Sequence, residues 1–144
     1  MKKCILLIFL TSLTASSFCQ SLKSTTWKID KIIGVDTNNI QEFTLKKVDT
    51  TNQFWSWGNI VKFSSDSTFT CEYSARCGND CFPSSNGLYN TIDSSKVTII
   101  LKEFKQEGDC QHLYLTPNRI LGDYIIKKQD SVTIKLVKQL ITHR

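Results

Sequence analysis

The length, composition and charge of the chain set the first limits on its fold and function. Its 144 residues are enough for one domain with a sizeable hydrophobic core. It carries 18 lysine and arginine residues against 13 acidic residues, a formal net charge of +5, and the lysines are spread along the chain. This excess is small and dispersed, so neither a nucleic acid nor an anionic membrane is expected as a partner.

The first 19 residues have the layout of a secretory signal peptide. Two lysines are followed by a short apolar core and by small residues that end near Cys19. The apolar run is shorter than the roughly 20 residues of a membrane-spanning helix, so no transmembrane segment is expected. A buried N-terminal helix and lipid attachment at Cys19 are the alternatives. Cleavage would leave one domain, residues 20–144, with a formal charge of +3, because two lysines and no acidic residue are lost.

In chain order, the first strand is predicted in SLKSTTWKIDKIIG, where Trp27 and Ile29 alternate with polar residues. Residues 35–53 are rich in threonine and asparagine, and their apolar residues fall loosely at helical spacing. We interpret them as an irregular or short-helical connection, with a ragged strand as the alternative. The aromatic sequence FWSWG follows and carries Trp55 and Trp57.

From Asn59 onwards the apolar residues recur with the period of two that is typical of half-buried strands. One strand carries Val61 and Phe63, and the next carries Phe69 and Cys71 after an SSDS turn. GLYNTI and VTIILKEF predict two more strands after a loop that holds two cysteines. YIIK and VTIKLV form a closing hairpin, whereas HLYLTPNRIL stays ambiguous because it contains a proline.

Short strands at this spacing predict an all-β fold. We expect a single antiparallel up-and-down β-barrel of about eight strands. Closure into a barrel would also remove the exposed edges that β-rich runs such as VTIIL present.

The four cysteines beyond residue 19 predict two disulfides, because an even number in an exported chain is typical of disulfide bonding. In an up-and-down meander, Cys110 lies beside the loop that holds Cys77 and Cys81, so it is expected to pair with one of these two. We favour Cys77–Cys110, which leaves Cys71 to meet Cys81.

Metal, redox and catalytic chemistry have weaker support. Only one cysteine pair has the spacing of a structural zinc site, and CGNDC is one residue longer than the C-x-x-C redox motif. His112 lies near Cys110, but an oxidised cysteine cannot act as a nucleophile. No G-x-S-x-G or phosphate-binding glycine loop is present. We therefore expect no metal, no cofactor and no enzymatic activity.

Four stretches resemble lipocalin-like small exported bacterial domains: TWKIDKIIG, IVKFSSDSTFT, NGLYNTIDSSKVTIIL and DYIIKKQDSVTIKL. They follow that pattern's tryptophan strand, phenylalanine strand with a turn into TF, G-x-Y strand and β-branched last strand. Thr25 stands where lipocalins usually have a glycine, two places before the tryptophan. The resemblance implies a barrel without an established enzyme mechanism.

The META domain is similar as well. Its pattern has a cysteine–asparagine turn, a G-x-Y strand and a later cysteine. This chain shows a similar series: CGN at residues 77–79, GLY at residues 87–89 and Cys110. That order also supports the Cys77–Cys110 bridge, whereas Cys71 and Cys81 are additional to it. This resemblance implies an interaction module.

The aromatic residues are numerous enough to line a cavity, although small barrels also fill their interior with side chains. The candidate ligand-binding residues are Trp55 and Trp57, at a mouth, with Tyr73 and Tyr89. Our first hypothesis is an exported, monomeric, non-catalytic lipocalin-like protein that binds a small apolar or amphipathic ligand. The alternative is a META-like envelope or secreted interaction or inhibitor-type module with a filled core and no ligand.

Overall fold

The computed structural model describes residues 21–35, 40–52, 54 and 56–140. Over these residues the regular structure consists of nine β-strands, without a helix. The strands are β1 (Thr25–Ile29), β2 (Glu42–Lys47), β3 (Gly58–Phe63), β4 (Thr68–Ser74), β5 (Cys81–Asp93), β6 (Lys96–Gly108), β7 (Leu113–Leu115), β8 (Arg119–Lys128) and β9 (Thr133–Lys138). The predicted signal peptide, with Cys19, lies outside the described residues.

Eight of these strands close into an antiparallel barrel in the order β1-β3-β4-β5-β6-β8-β9-β2, and β7 pairs with β6 outside it. This confirms the predicted all-β antiparallel barrel. One detail of the strand order differs, because β2 lies between β1 and β9. The connection from β2 to β3 therefore passes β1 on the outside of the barrel, where Lys28 Nζ donates to the Trp57 carbonyl at 3.1 Å.

The segment 35–53 contains a strand, which agrees with the ragged-strand alternative and not with an irregular or short-helical connection. Phe43 and Leu45 point inward from β2 and are buried, and the strand pairs with β1 on one side and β9 on the other. Only these two apolar residues alternate, and their β9 partners, Leu136 and Ile134, are far away in the sequence. Pairing between distant strands therefore outweighs the weak local pattern.

Inward side chains from all eight strands fill the barrel. The largest of them are fully buried: Trp27, Phe43, Leu45, Phe63, Phe69, Ile99, Leu101, Tyr124, Ile134 and Leu136. Leu22 covers one end, and Ile32 and Ile33 cover the other. Trp27 Nε1 donates to Thr25 Oγ1 at 2.7 Å, so the threonine hydroxyl satisfies a buried donor. The interior is a packed core.

The two ends of the barrel differ in their connections. One end carries short turns, at residues 64–67, 94–95 and 129–132. The other end, which we call the loop end, carries the longer connections 30–41, 75–80 and 109–112, together with the break between β7 and β8 at 116–118. The loop end carries Cys77, Cys81 and Cys110, the outside strand, and the larger of the two surface depressions described below.

Cys110 pairs with one of the two cysteines expected for it, but with Cys81 and not with the favoured Cys77. Cys81 and Cys110 form a disulfide, with Cα atoms 5.4 Å apart, whereas Cys71 and Cys77 are free thiols. Strand β5 reaches back to Cys81 and pairs it with Gly108 of β6, which brings Cys110 alongside. The predicted bridges Cys77–Cys110 and Cys71–Cys81 are wrong, because Cys71 is buried inside the barrel while Cys77 is exposed on the 75–80 loop.

We predict that the two free thiols differ sharply in reactivity. Burial raises the pKa of Cys71 to about 12, so its thiol is neutral and inaccessible at neutral pH, whereas Cys77 is exposed. After brief treatment of the native protein with a maleimide, peptide mass spectrometry should find the label on the Cys77 peptide and not on the Cys71 peptide. Cys71 should react only after denaturation. Rapid labelling of native Cys71 would contradict the packed interior.

Candidate functional site

The structure separates the residues predicted to bind a ligand. Trp55 lies outside the described residues. Trp57 stacks on Phe54, with ring centroids 4.2 Å apart, in the connection that passes β1 outside the barrel. It therefore lies on the outer wall, not in the interior.

The two tyrosines of that set lie at opposite ends of the barrel. Tyr73 is half-buried at the loop end, where its hydroxyl donates to Asp80 Oδ2 at 3.2 Å, and this hydrogen bond raises the pKa of Tyr73. Tyr89 is buried near the turns, where its hydroxyl donates to the Ser64 carbonyl at 2.6 Å and its ring meets Phe63 edge-on. Both tyrosines have structural partners, and the described aromatic candidates line no common cavity.

A first surface depression, of about 280 Å³, lies on the outer wall. Its lining comprises Thr26, Ser56, Ile60, Lys62, Thr70, Glu72 and Ser74. The depression exists because the connection between β2 and β3 overhangs the outward faces of β1, β3 and β4. Ile60 points outward and is nevertheless buried, which indicates that the overhang serves mainly to cover it.

A second and larger depression, of about 380 Å³, lies at the loop end. We call it the rim cleft. Its lining comprises Gly34, Leu101, Phe104, Leu115, Thr116, Pro117 and Arg119. Its volume falls within the range of small-molecule sites, which is roughly 300 to 1,000 Å³. Leu101 and Phe104 are core residues, so the inner wall of the cleft is the top of the hydrophobic core.

The rim cleft follows from a break in the pairing along one edge of β6. That edge pairs with β8 as far as Leu101 and with β7 from Phe104 onwards. Between β7 and β8, Pro117 lacks an N–H for the ladder, and Asn118 has a positive φ of 42°. The chain therefore leaves β6 here and returns, which opens a gap above Leu101 and Phe104.

Gly34 closes the opposite side of the cleft. Its φ of +98° is in the region that favours glycine, and a Cβ there would lie 2.8 Å from Leu101 Cδ2. The close approach presses the β1–β2 connection onto the core beside the cleft. The buried side chains of Leu101 and Phe104 form the floor of the cleft.

Arg119 is the charged residue of the rim cleft. It pairs with Leu101 across the ladder and so shares the inward face, while its neighbour Ile120 points to solvent. Its Nε is buried and has no hydrogen-bond partner, and no acidic side chain of the described residues forms an ion pair with it. The rim cleft therefore holds one arginine side chain, with an unpaired Nε, beside an apolar surface.

Sequence reasoning missed Arg119. The segment HLYLTPNRIL is ambiguous because of its proline, and the sequence assigns none of its residues to a face. A register shift between β6 and β8 at Ile99 and Ile100 sets the observed faces. No local signal reports that shift.

The described residues offer no group of three or more His, Cys, Asp or Glu side chains that could hold a metal ion. His112 is exposed in the connection between β6 and β7. Cys110, which lies near it in the sequence, is in the disulfide. The rim cleft offers a ligand an apolar wall and one cation.

Comparison of the chain with protein-family models, with curated proteins and with solved structures finds no match. The fold and the cleft therefore define the class: a small closed antiparallel β-barrel with a packed interior and an apolar, singly charged cleft at one end.

Proposed function

We propose that the protein is an exported, non-catalytic binding protein that holds a small amphipathic molecule in the rim cleft. The observation that carries this proposal is the cleft itself, an apolar depression of about 380 Å³ whose inner wall is formed by Leu101 and Phe104. Exposed apolar surface gathered in a concave site is typical of ligand binding. The proposal keeps the ligand class suggested by the lipocalin resemblance and moves the ligand from the interior to the end of the barrel.

The packed interior supports placing the ligand at the end of the barrel and not inside it. Trp27, Phe63 and Phe69 occupy the barrel axis, and a ligand inside would have to displace fully buried side chains. Protein cores are close-packed, and such displacement costs several kcal/mol in lost contacts. A ligand at the rim requires no such rearrangement.

Export is supported by the Cys81–Cys110 disulfide, because disulfides persist mainly in oxidising compartments. Among the described residues, no helix is long and apolar enough to cross a membrane. Residues 1–19 would supply the export signal in this proposal.

A second candidate function is the META-like interaction module with a filled core. It is favoured by the packed interior and by four exposed apolar side chains on β7 and β8: Leu113, Tyr114, Leu115 and Ile120. Absence of small-molecule binding in the experiment below would favour this second function.

The proposed function predicts that Leu115 contributes to binding and that Leu113 does not. Both leucines are exposed on β7, but only Leu115 lines the rim cleft. Replacing Leu115 by serine should weaken the binding of octanol about five- to tenfold, because the apolar wall is lost. Ligand-observed NMR titration would measure this change.

Leu113→Ser is the matched control and should leave the affinity unchanged. Two results would contradict the proposed function. One is that neither octanol nor octanoate binds the wild-type protein, and the other is that the two serine variants lose affinity equally.

A further inference from the structure

We propose that the rim cleft selects ligands that carry a single carboxylate, and that Arg119 is the residue that binds this group. The inference rests on the proposed function, because it specifies the chemistry of the ligand held there. Two observations support it: Arg119 Nε has no hydrogen-bond partner, and the residues around Arg119 are mostly apolar.

Arg119 has one unsatisfied donor. Its Nε is buried without a hydrogen-bond partner, and a buried donor left unpaired is destabilising. Lys135 Nζ lies 2.8 Å from Glu42 Oε1 and Lys105 Nζ lies 3.1 Å from Glu103 Oε1, whereas no described acidic side chain forms an ion pair with Arg119. An anionic ligand group would give Arg119 Nε the acceptor that it lacks.

The acidic and cationic side chains near Arg119 already have hydrogen-bond partners of their own. Glu103 of β6 accepts from Lys105 and also from the Tyr114 hydroxyl at 3.0 Å, and these bonds lower its pKa. Lys102 donates to Asn118 Oδ1. Glu103 is therefore held by other partners, and Arg119 is the one cation that lines the cleft.

Arg119 is also distinguished by its place in the fold. Within the described residues there are two buried polar atoms without partners, Arg119 Nε and Ser85 Oγ. Ser85 lies on β5, at the other edge of β6, and does not line the rim cleft. Unsatisfied buried groups are few in folded proteins, and the one that belongs to a lining residue of the cleft points to a ligand that binds there.

The lining of the rim cleft indicates which apolar part the ligand should have. Leu101, Phe104, Leu115 and Pro117 provide apolar contact for a short chain or ring. A guanidinium matches a planar carboxylate through two parallel hydrogen bonds. A phosphate monoester carries more charge than one arginine neutralises, so a carboxylate is the better match. Because Leu101 and Phe104 close the bottom of the cleft, we expect a tail of medium length to fill it.

The test compares octanoate, octanamide and octyl phosphate by calorimetric titration of the folded wild-type protein, Arg119→Gln and Arg119→Lys. Octanoate should bind the wild type at least about tenfold more tightly than octanamide, which has the same chain without the charge. Arg119→Gln should abolish this preference and leave octanamide affinity nearly unchanged. Arg119→Lys should retain part of the preference, since it keeps the charge and loses the paired geometry.

Lys102→Gln is the matched control, because it removes a neighbouring cation that does not line the cleft, and it should leave the preference intact. Equal binding of octanoate and octanamide to the wild type would overturn the inference while leaving the proposed function in place. A preference that survives in Arg119→Gln, or tighter binding of octyl phosphate than of octanoate, would also overturn it. Absence of binding by all three ligands would remove the proposed function itself.

Discussion

Replacing Gly87 by alanine is expected to lower the free energy of unfolding by about 3 kcal/mol, at the upper end of the usual cost of overpacking. Gly87 lies at a bulge where β5 crosses the core, and a Cβ there would meet the Ile100 carbonyl oxygen at 2.0 Å and Phe69 Cε1 at 2.7 Å. A backbone oxygen of a central strand cannot move aside as a flexible side chain can. Urea denaturation of wild type and variant would measure the loss.

Gly78→Ala is the matched control for this prediction. Gly78 lies in the exposed 75–80 loop, with open space around its Cβ position. Its replacement should change the free energy of unfolding by no more than about 0.5 kcal/mol. Equal losses in the two variants would show that the close contact between β5 and β6 at Gly87 is absent.

Removing the Cys81–Cys110 disulfide is expected to lower the free energy of unfolding by about 3 to 4 kcal/mol. The bridge joins residues 29 positions apart, and the chain-entropy model gives this magnitude for a loop of that length. Cys110→Ser removes the bridge, and chemical denaturation without reductant measures the change.

The control here is Cys77→Ser, which should leave stability close to that of the wild type because Cys77 is a free, exposed thiol. A large loss in Cys77→Ser, together with a Cys77–Cys110 peptide in the unreduced digest, would restore the pairing expected from the META order.

The strands with strong alternation were predictable from the sequence. Val61 and Phe63 on β3, and Phe69 and Cys71 on β4, are fully buried, as their period of two indicated. A side-chain period of two assigns residues to faces without knowledge of the neighbouring strands. This is why the barrel class followed from the sequence.

Strand β2 and the disulfide depended on information that lies outside the local sequence. Phe43 and Leu45 form a strand because β1 and β9 flank them. Cys81 reaches Cys110 because β5 begins inside the stretch that was predicted as a loop. That stretch contains Pro83 and two serines and has little strand character by itself. In both cases pairing with neighbouring strands imposes the conformation.

The candidate site was harder to predict than the fold. The sequence drew attention to aromatic residues, and of these Tyr89 serves the core and Trp57 the outer wall. The rim cleft instead depends on a break in pairing around Pro117 and on a register shift that turns Arg119 inward. Pro117 signalled an interruption in this segment, whereas the register shift is a property of the closed barrel and has no signature in composition or spacing.

The central claim is that the barrel interior is packed and that binding takes place at the rim cleft. The most direct test is a ¹H–¹⁵N NMR titration of the wild-type protein with octanoate, followed residue by residue. The account predicts that the shifts concentrate at Gly34, Phe104 and residues 115–119, while Trp27 and Phe69 stay unchanged. Shifts centred on Trp27 and Phe69, with little change at residues 115–119, would contradict it.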